Sequence, residues 1–222
     1  MHHEPPILLA LFVFTTSTIS LAQQQPGTLR IGLLAGPNYS YLRGGDFERT
    51  DEFKTEGKAR FMASLGLSLK YQFNKVFLTT NLLYENKSSG ASTIFYNTGT
   101  SGNAGREFSY KVNRQYLTIP VLVGVNIKNT GFFVNAGPYA GMLLKYKAFG
   151  EGQTTSVSTD EKSFDYGVSV GLGYSRAISS RLNVSGELRY SHSLYTTSTF
   201  SSVGKMGSTS LLFGVNYTLN GK

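Results

Sequence analysis

Cysteine is absent from all 222 residues. No disulfide can brace the fold and no thiolate can hold a metal, so stability must come from a packed core or from a closed hydrogen-bonded wall. Histidine is nearly absent: of three, two stand at His2 and His3, leaving His192 as the one imidazole in the body of the chain. Charge is sparse at 15% of residues, below the usual quarter. The net charge is +8, yet its Lys and Arg are scattered, and Arg43–Lys58 mixes both signs. A nucleic-acid binder gathers its cations on one face, so nucleic acid is excluded as a partner. A dispersed basic surface suits anionic head groups instead. No apolar run approaches the length of about 20 residues that a membrane helix needs. Disorder is also excluded, because 40% of residues are hydrophobic.

One short apolar run does stand at the start. Ile7–Phe14 is followed by a Thr/Ser stretch and by Ser20-Leu21-Ala22. This layout predicts a secretory signal over residues 1–22, cleaved after Ala22, with residues 23–222 as the mature domain. The leading Met1-His2-His3-Glu4 lacks the usual basic residue. No Cys follows the cleavage site to carry a lipid. An exported chain without a membrane helix is either soluble or a closed β-barrel, since only helices and barrels satisfy every backbone group in lipid.

What the chain has in quantity is Gly (25), Phe (15) and Tyr (14), arranged with a period of two. In Arg60–Phe73 the residues Phe61, Ala63, Leu65, Leu67, Leu69, Tyr71 and Phe73 share one face, and Arg60, Ser64, Gly66, Ser68 and Lys70 the other. The same alternation predicts strands near Leu29–Tyr41, Val76–Lys87, Arg114–Lys128, Phe132–Lys147, Phe164–Arg176, Arg181–His192 and Thr209–Leu219. Pro138 inside the fifth strand calls for a bulge there. Tight links follow the second, fourth and sixth strands, while long polar links follow the first, third, fifth and seventh. Tyr ends several apolar faces, as in an interfacial girdle. The opposite face is small and polar. These features predict an all-β fold, an eight-stranded antiparallel up-and-down transmembrane β-barrel with long loops at one end and short turns at the other. Such a barrel is filled by its own side chains, which argues against a general porin.

Few residues promise chemistry. Glu85, Arg114, Asp165, Glu187 and Arg189, with Lys145 as a further candidate, fall on the inward parity toward the loop end. Opposite charges inside a barrel must pair, so they read as a structural lumen network rather than a catalytic set. Gly167-Val168-Ser169-Val170-Gly171 matches the G-x-S-x-G string of hydrolases, but it sits mid-strand instead of at the strand–turn–helix corner that the motif requires. His192 falls on the apolar parity, where it reads as an interfacial polar tip. The acidic stretch Asp46–Glu56 lacks calcium-loop spacing. No catalytic residue, metal site or cofactor is expected.

Four blocks carry a resemblance: Tyr116-Leu117-Thr118-Ile119-Pro120-Val121-Leu122, Ala136-Gly137-Pro138-Tyr139-Ala140-Gly141, Phe164-Asp165-Tyr166-Gly167 and Glu187-Leu188-Arg189-Tyr190. In this order they resemble the PorT-like outer-membrane β-barrel proteins of Bacteroidetes, across nearly the whole mature chain. The resemblance implies an eight-stranded barrel in the bacterial outer membrane, no catalytic motif, and in some members a part in protein secretion or gliding machinery. The chain departs from many such barrels by ending Tyr217-Thr218-Leu219-Asn220-Gly221-Lys222 rather than in an aromatic residue. The expected role is non-enzymatic. The barrel anchors in outer-membrane lipid, and the links at Arg43–Lys58, Ser88–Asn113, Ala148–Ser163 and Ser193–Ser208 are displayed to a possible protein partner. The alternatives are a secreted soluble barrel that binds a small hydrophobic ligand and, third, a membrane lipid enzyme using His192.

Overall fold

The computed structural model describes residues 27–43, 53–95, 107–128, 130–150, 153–155, 164–199 and 202–219. The signal reading at 1–22, the last residues 220–222 and much of the predicted links lie outside the described residues. The strands are β1 (Thr28–Arg43), β2 (Phe53–Phe73), β3 (Val76–Phe95), β4 (Glu107–Asn126), β5 (Phe132–Gly150), β6 (Gln153–Thr155), β7 (Phe164–Ala177), β8 (Leu182–Thr199) and β9 (Ser202–Thr218). Each long strand pairs antiparallel with its chain neighbours, and β1 pairs with β9, so eight strands close into a barrel with no free edge. The short β6 only adds to the upper end of β5.

The short-turn end follows from local sequence. Phe73 faces Val76 across Asn74-Lys75, with Asn74 at φ 53°, a left-handed value that Asn tolerates. Gly131 takes φ 82° before β5, as the predicted Lys128–Gly131 turn requires. The third short turn is held by the Ser179 Oγ, which accepts from the amides of Arg181 (3.3 Å) and Leu182 (3.1 Å).

The wall is inside out relative to a soluble protein. Phe61 is 75% exposed, Leu33 61% and Leu65 60%, while Asn38 and Arg114 are fully buried. A soluble ligand-binding barrel would reverse this; the apolar surface, continuous around the whole wall, needs hydrocarbon as its solvent. Aromatic pairs mark its two margins. Tyr39 and Phe61 meet at 4.8 Å toward the long-loop end, and Phe132 and Tyr174 at 5.1 Å toward the short turns. On β2 the stretch from Phe61 to Tyr71 has the roughly 9–11 residues with which a tilted strand crosses a bilayer.

Three expectations are corrected. The strands reach well past the predicted ends: Phe53–Ala59 pairs with Ser89–Phe95, and Ile94 faces Glu107. Part of each predicted loop is therefore ladder, and β8 and β9 are joined across only residues 200–201. Beyond the girdle the outer face no longer meets lipid, so the hydrophobic alternation fades although pairing continues and Ser88, Ser89 and Ser92 stay buried. Pro138 makes no bulge. It faces Val168 in an unbroken β5–β7 register, while the β4–β5 ladder passes from Pro120–Tyr139 to Val123–Ala136 without a pair at Pro138, whose nitrogen has no proton to give. The slip lies at Leu144 instead: Gln115 faces Lys145, whereas Tyr116 faces Leu143. This extra residue reverses the parity of the upper part of β5. Lys145 is consequently exposed on the outside, and Tyr146 turns in, its ring 5.2 Å from the Arg114 guanidinium.

Candidate functional site

The barrel interior is the candidate site, since every buried charged residue among those described points there. Glycines on the inward parity make room for it. A Cβ on Gly124 would strike the Phe77 ring and one on Gly173 the Phe133 ring, so these two notches seat a T-shaped aromatic pair with centroids 5.6 Å apart. Gly124→Val is expected to cost about 1–3 kcal/mol by overpacking, read as an earlier urea midpoint for the barrel in lipid vesicles; an unchanged midpoint would mean that the ring is not confined.

The predicted residues gather into two clusters rather than one network. Toward the long-loop end, Lys87 is buried between two carboxylates, with Nζ 3.3 Å from Asp165 Oδ2 and 3.5 Å from Glu85 Oε2. Asp165 also accepts from Ser193 Oγ at 2.6 Å and from Tyr139 Oη at 3.2 Å. The ammonium lies 4.9 Å from the Tyr139 ring and 5.2 Å from the Tyr116 ring, distances at which a ring face attracts a cation. Arg114 stands in the same region, and its Nη1 donates to Ser89 Oγ at 3.3 Å. Toward the short turns, Glu187 Oε1 accepts from Arg189 Nε at 2.7 Å and from Asn135 Nδ2 at 3.1 Å. Beside it Lys70 Nζ sits 3.6 Å from the Phe77 ring centroid and 4.9 Å from that of Phe133.

Arg30 and Lys70 line a cavity of about 30 Å³ around Glu187 and Arg189, enough for a water or two. The parity argument did not single out Lys87, Lys70 and Arg30. The signal was present, since Lys87 stands two residues from Glu85 and Lys70 two from Ser68 on the inward face.

The remaining chemical candidates are dispersed. Ser169 faces the lumen, where its hydroxyl meets Ser191 Oγ at 2.8 Å, while His192 lies on the outer wall opposite Val168 and Gly207. Ser193 bonds Asp165 inside the barrel with His192 on the other side of the sheet. No Ser–His–acid relay forms from these residues. Among the described residues no group of three or more His, Asp or Glu could hold a metal. Above the wall, Lys58 Nζ donates to Glu107 Oε1 at 2.7 Å. This bond holds the exposed Glu107 carboxyl below its ordinary range.

A closed eight-stranded barrel with an apolar exterior and a filled, charged interior defines a transmembrane barrel of the bacterial outer membrane. Residues 21–198 match the family described as "Outer membrane protein beta-barrel domain", and the chain belongs to it. Among solved structures it is similar to the outer membrane protein OprG from Pseudomonas aeruginosa, with 12% identity over 87% of this chain and 97% of that chain and a TM-score of 0.50. It is also similar to Neisserial surface protein A, with 12% identity over 85% of this chain and 96% of that chain and a TM-score of 0.46. At such identities the likeness speaks to the fold alone. No curated protein matches the chain.

Proposed function

We propose that this protein is a non-enzymatic, non-conducting anchor of the outer membrane that presents its long-strand end to a protein partner. The observation that carries the reading is the contrast between the two ends. The lumen is packed with the Lys87 and Glu187 clusters and the Phe77–Phe133 pair, whereas β2, β3 and β4 continue past the Tyr39–Phe61 girdle as a paired ledge. From Phe61 to Phe53 the ledge adds roughly 3.3 Å per residue along β2. An ordered ledge loses less entropy on docking than free loops of the same length. The lumen charges serve to hold the wall closed rather than to move ions. The N-terminal segment 1–22 acts as the export signal on this reading. The resemblance to PorT-like proteins supports a link to secretion machinery.

Two measurements test it. The purified protein in planar bilayers is expected to give no steady ohmic conductance; a reproducible open channel would sink the anchor reading. A photo-crosslinking residue placed at Lys111, which is exposed on the ledge, is expected to give one discrete adduct in cells. That adduct should vanish when β2 and β3 are shortened to close at the girdle. Adducts that persist after shortening would remove the ledge from the interaction.

A further inference from the structure

The outer wall carries a cluster unrelated to the lumen. At the long-loop end, outward-facing residues of β1, β9 and β8 stack in rows: Tyr39–Thr209–Tyr190, then Tyr41–Gly207–His192, then Arg43–Lys205. Gly207 leaves a gap in the middle row that the Tyr41 ring covers; a Cβ there would lie 3.1 Å from it. Arg43 bridges the rows. Its Nη1 donates to Tyr190 Oη at 2.5 Å and its Nη2 to His192 Nδ1 at 2.8 Å. The Tyr190 and His192 rings stack at 6.5 Å and 27°.

Bond direction fixes the chemistry. A guanidinium only donates, and its Nη2 lies nearer to His192 Nδ1 (2.8 Å) than to Nε2 (3.5 Å), so Nδ1 is the accepting nitrogen and the neutral ring carries its one N–H on the other. The cluster thus offers the remaining N–H groups of Arg43, the Lys205 ammonium and one imidazole N–H. Among the residues whose side chains are described it offers no acid: Glu85, Asp165 and Glu187 lie in the lumen and Glu107 is bonded to Lys58 on the ledge. Like charges repel unless something anionic lies between them, and a planar guanidinium beside an ammonium suits a phosphate.

Position selects the kind of phosphate. Arg43 and Lys205 lie just beyond the Tyr39 row, at the depth where head groups meet water. Below them the same strands expose Leu188, Leu211, Phe213 and Leu33, a continuous apolar strip along which acyl chains can lie. We propose that Arg43, Lys205 and His192 form a binding site for the phosphate of a phosphorylated lipid in the outer leaflet. The inference goes beyond the partner reading and needs only the membrane location.

The test uses the full-length protein in detergent and native mass spectrometry, with diphosphoryl lipid A as the probe. Each cation near an anionic lipid surface contributes roughly fivefold in affinity, so R43Q/K205Q is expected to lose about thirtyfold. The same disaccharide lipid without phosphates should bind wild type and variant alike and weakly. Heat-modifiable migration on a gel checks that the variant barrel has closed. If the double variant does not close, Lys205→Gln alone at the end of the strand should lose about fivefold. Equal affinity of wild type and a folded variant overturns the proposal. So does a phosphate-free lipid that binds wild type as tightly as the phosphorylated one. Displacement of lipid A by millimolar inorganic phosphate overturns it as well, because it reveals a free-anion site.

Discussion

Lys87→Met is expected to lower the unfolding free energy of the barrel by about 3–5 kcal/mol, the usual loss when a buried ion pair is deprived of one partner. The substitution keeps the length of the side chain and its contact with the Tyr116 and Tyr139 rings, but it removes the cation between Glu85 and Asp165. Ser193 and Tyr139 still donate to Asp165; neither brings positive charge. Two carboxylates would then share an enclosed space, and their mutual repulsion adds to the cost of desolvation. Reversible urea unfolding in lipid vesicles measures the loss. The triple variant K87M/E85Q/D165N discriminates between charge and packing. It should recover most of the stability, since replacing Lys87 together with the two carboxylates it bridges by neutral groups is often near neutral. If Lys87→Met unfolds at the wild-type midpoint, or if the triple variant is no better, the lumen charges do not hold the wall.

Leu67→Arg is the second large effect. Leu67 lies on the outer face of β2 between Phe61 and Tyr71, 55% exposed, so the substitution puts a guanidinium near the middle of the hydrocarbon. The expected loss is about 2–4 kcal/mol in vesicles, falling to about 1 or less for the same change near the margin. Phe73→Arg, beyond Tyr71 at the short-turn end of β2, supplies the marginal case. The depth dependence is the informative part, because a water-soluble barrel would tolerate Arg equally at both positions. Equal midpoints for the two variants would contradict the bilayer placement of the wall.

The wall was legible in the sequence because lipid imposes one rule on every outward position. From Phe61 to Phe73, and from Leu211 to Leu219, a period of two with no charge on one face leaves a single register. The lumen was half legible. Parity placed Glu85, Asp165, Glu187 and Arg189 inside, but it could not say that Lys87 lies between two acids, since that pairing joins β3 to β7, residues 78 apart in the chain. Lys145 misled because a one-residue slip at Leu144 inverts parity, and nothing local in Met142-Leu143-Leu144-Lys145 announces a slip. The strand ends were illegible for a different reason. Above the membrane, hydrogen bonding continues where hydrophobic contrast stops. The Arg43–His192 contact spans 149 positions and exists only through the register of β1, β9 and β8.

The lacing of the first long strand to the last sets a rule for assembly. Until β9 arrives, β1 and whichever strand was last laid down both present bare amides and carbonyls, which lipid does not tolerate. A chain halted anywhere short of its final strand therefore has no stable place to rest in the bilayer. Truncation from either side should be as damaging as loss of the middle.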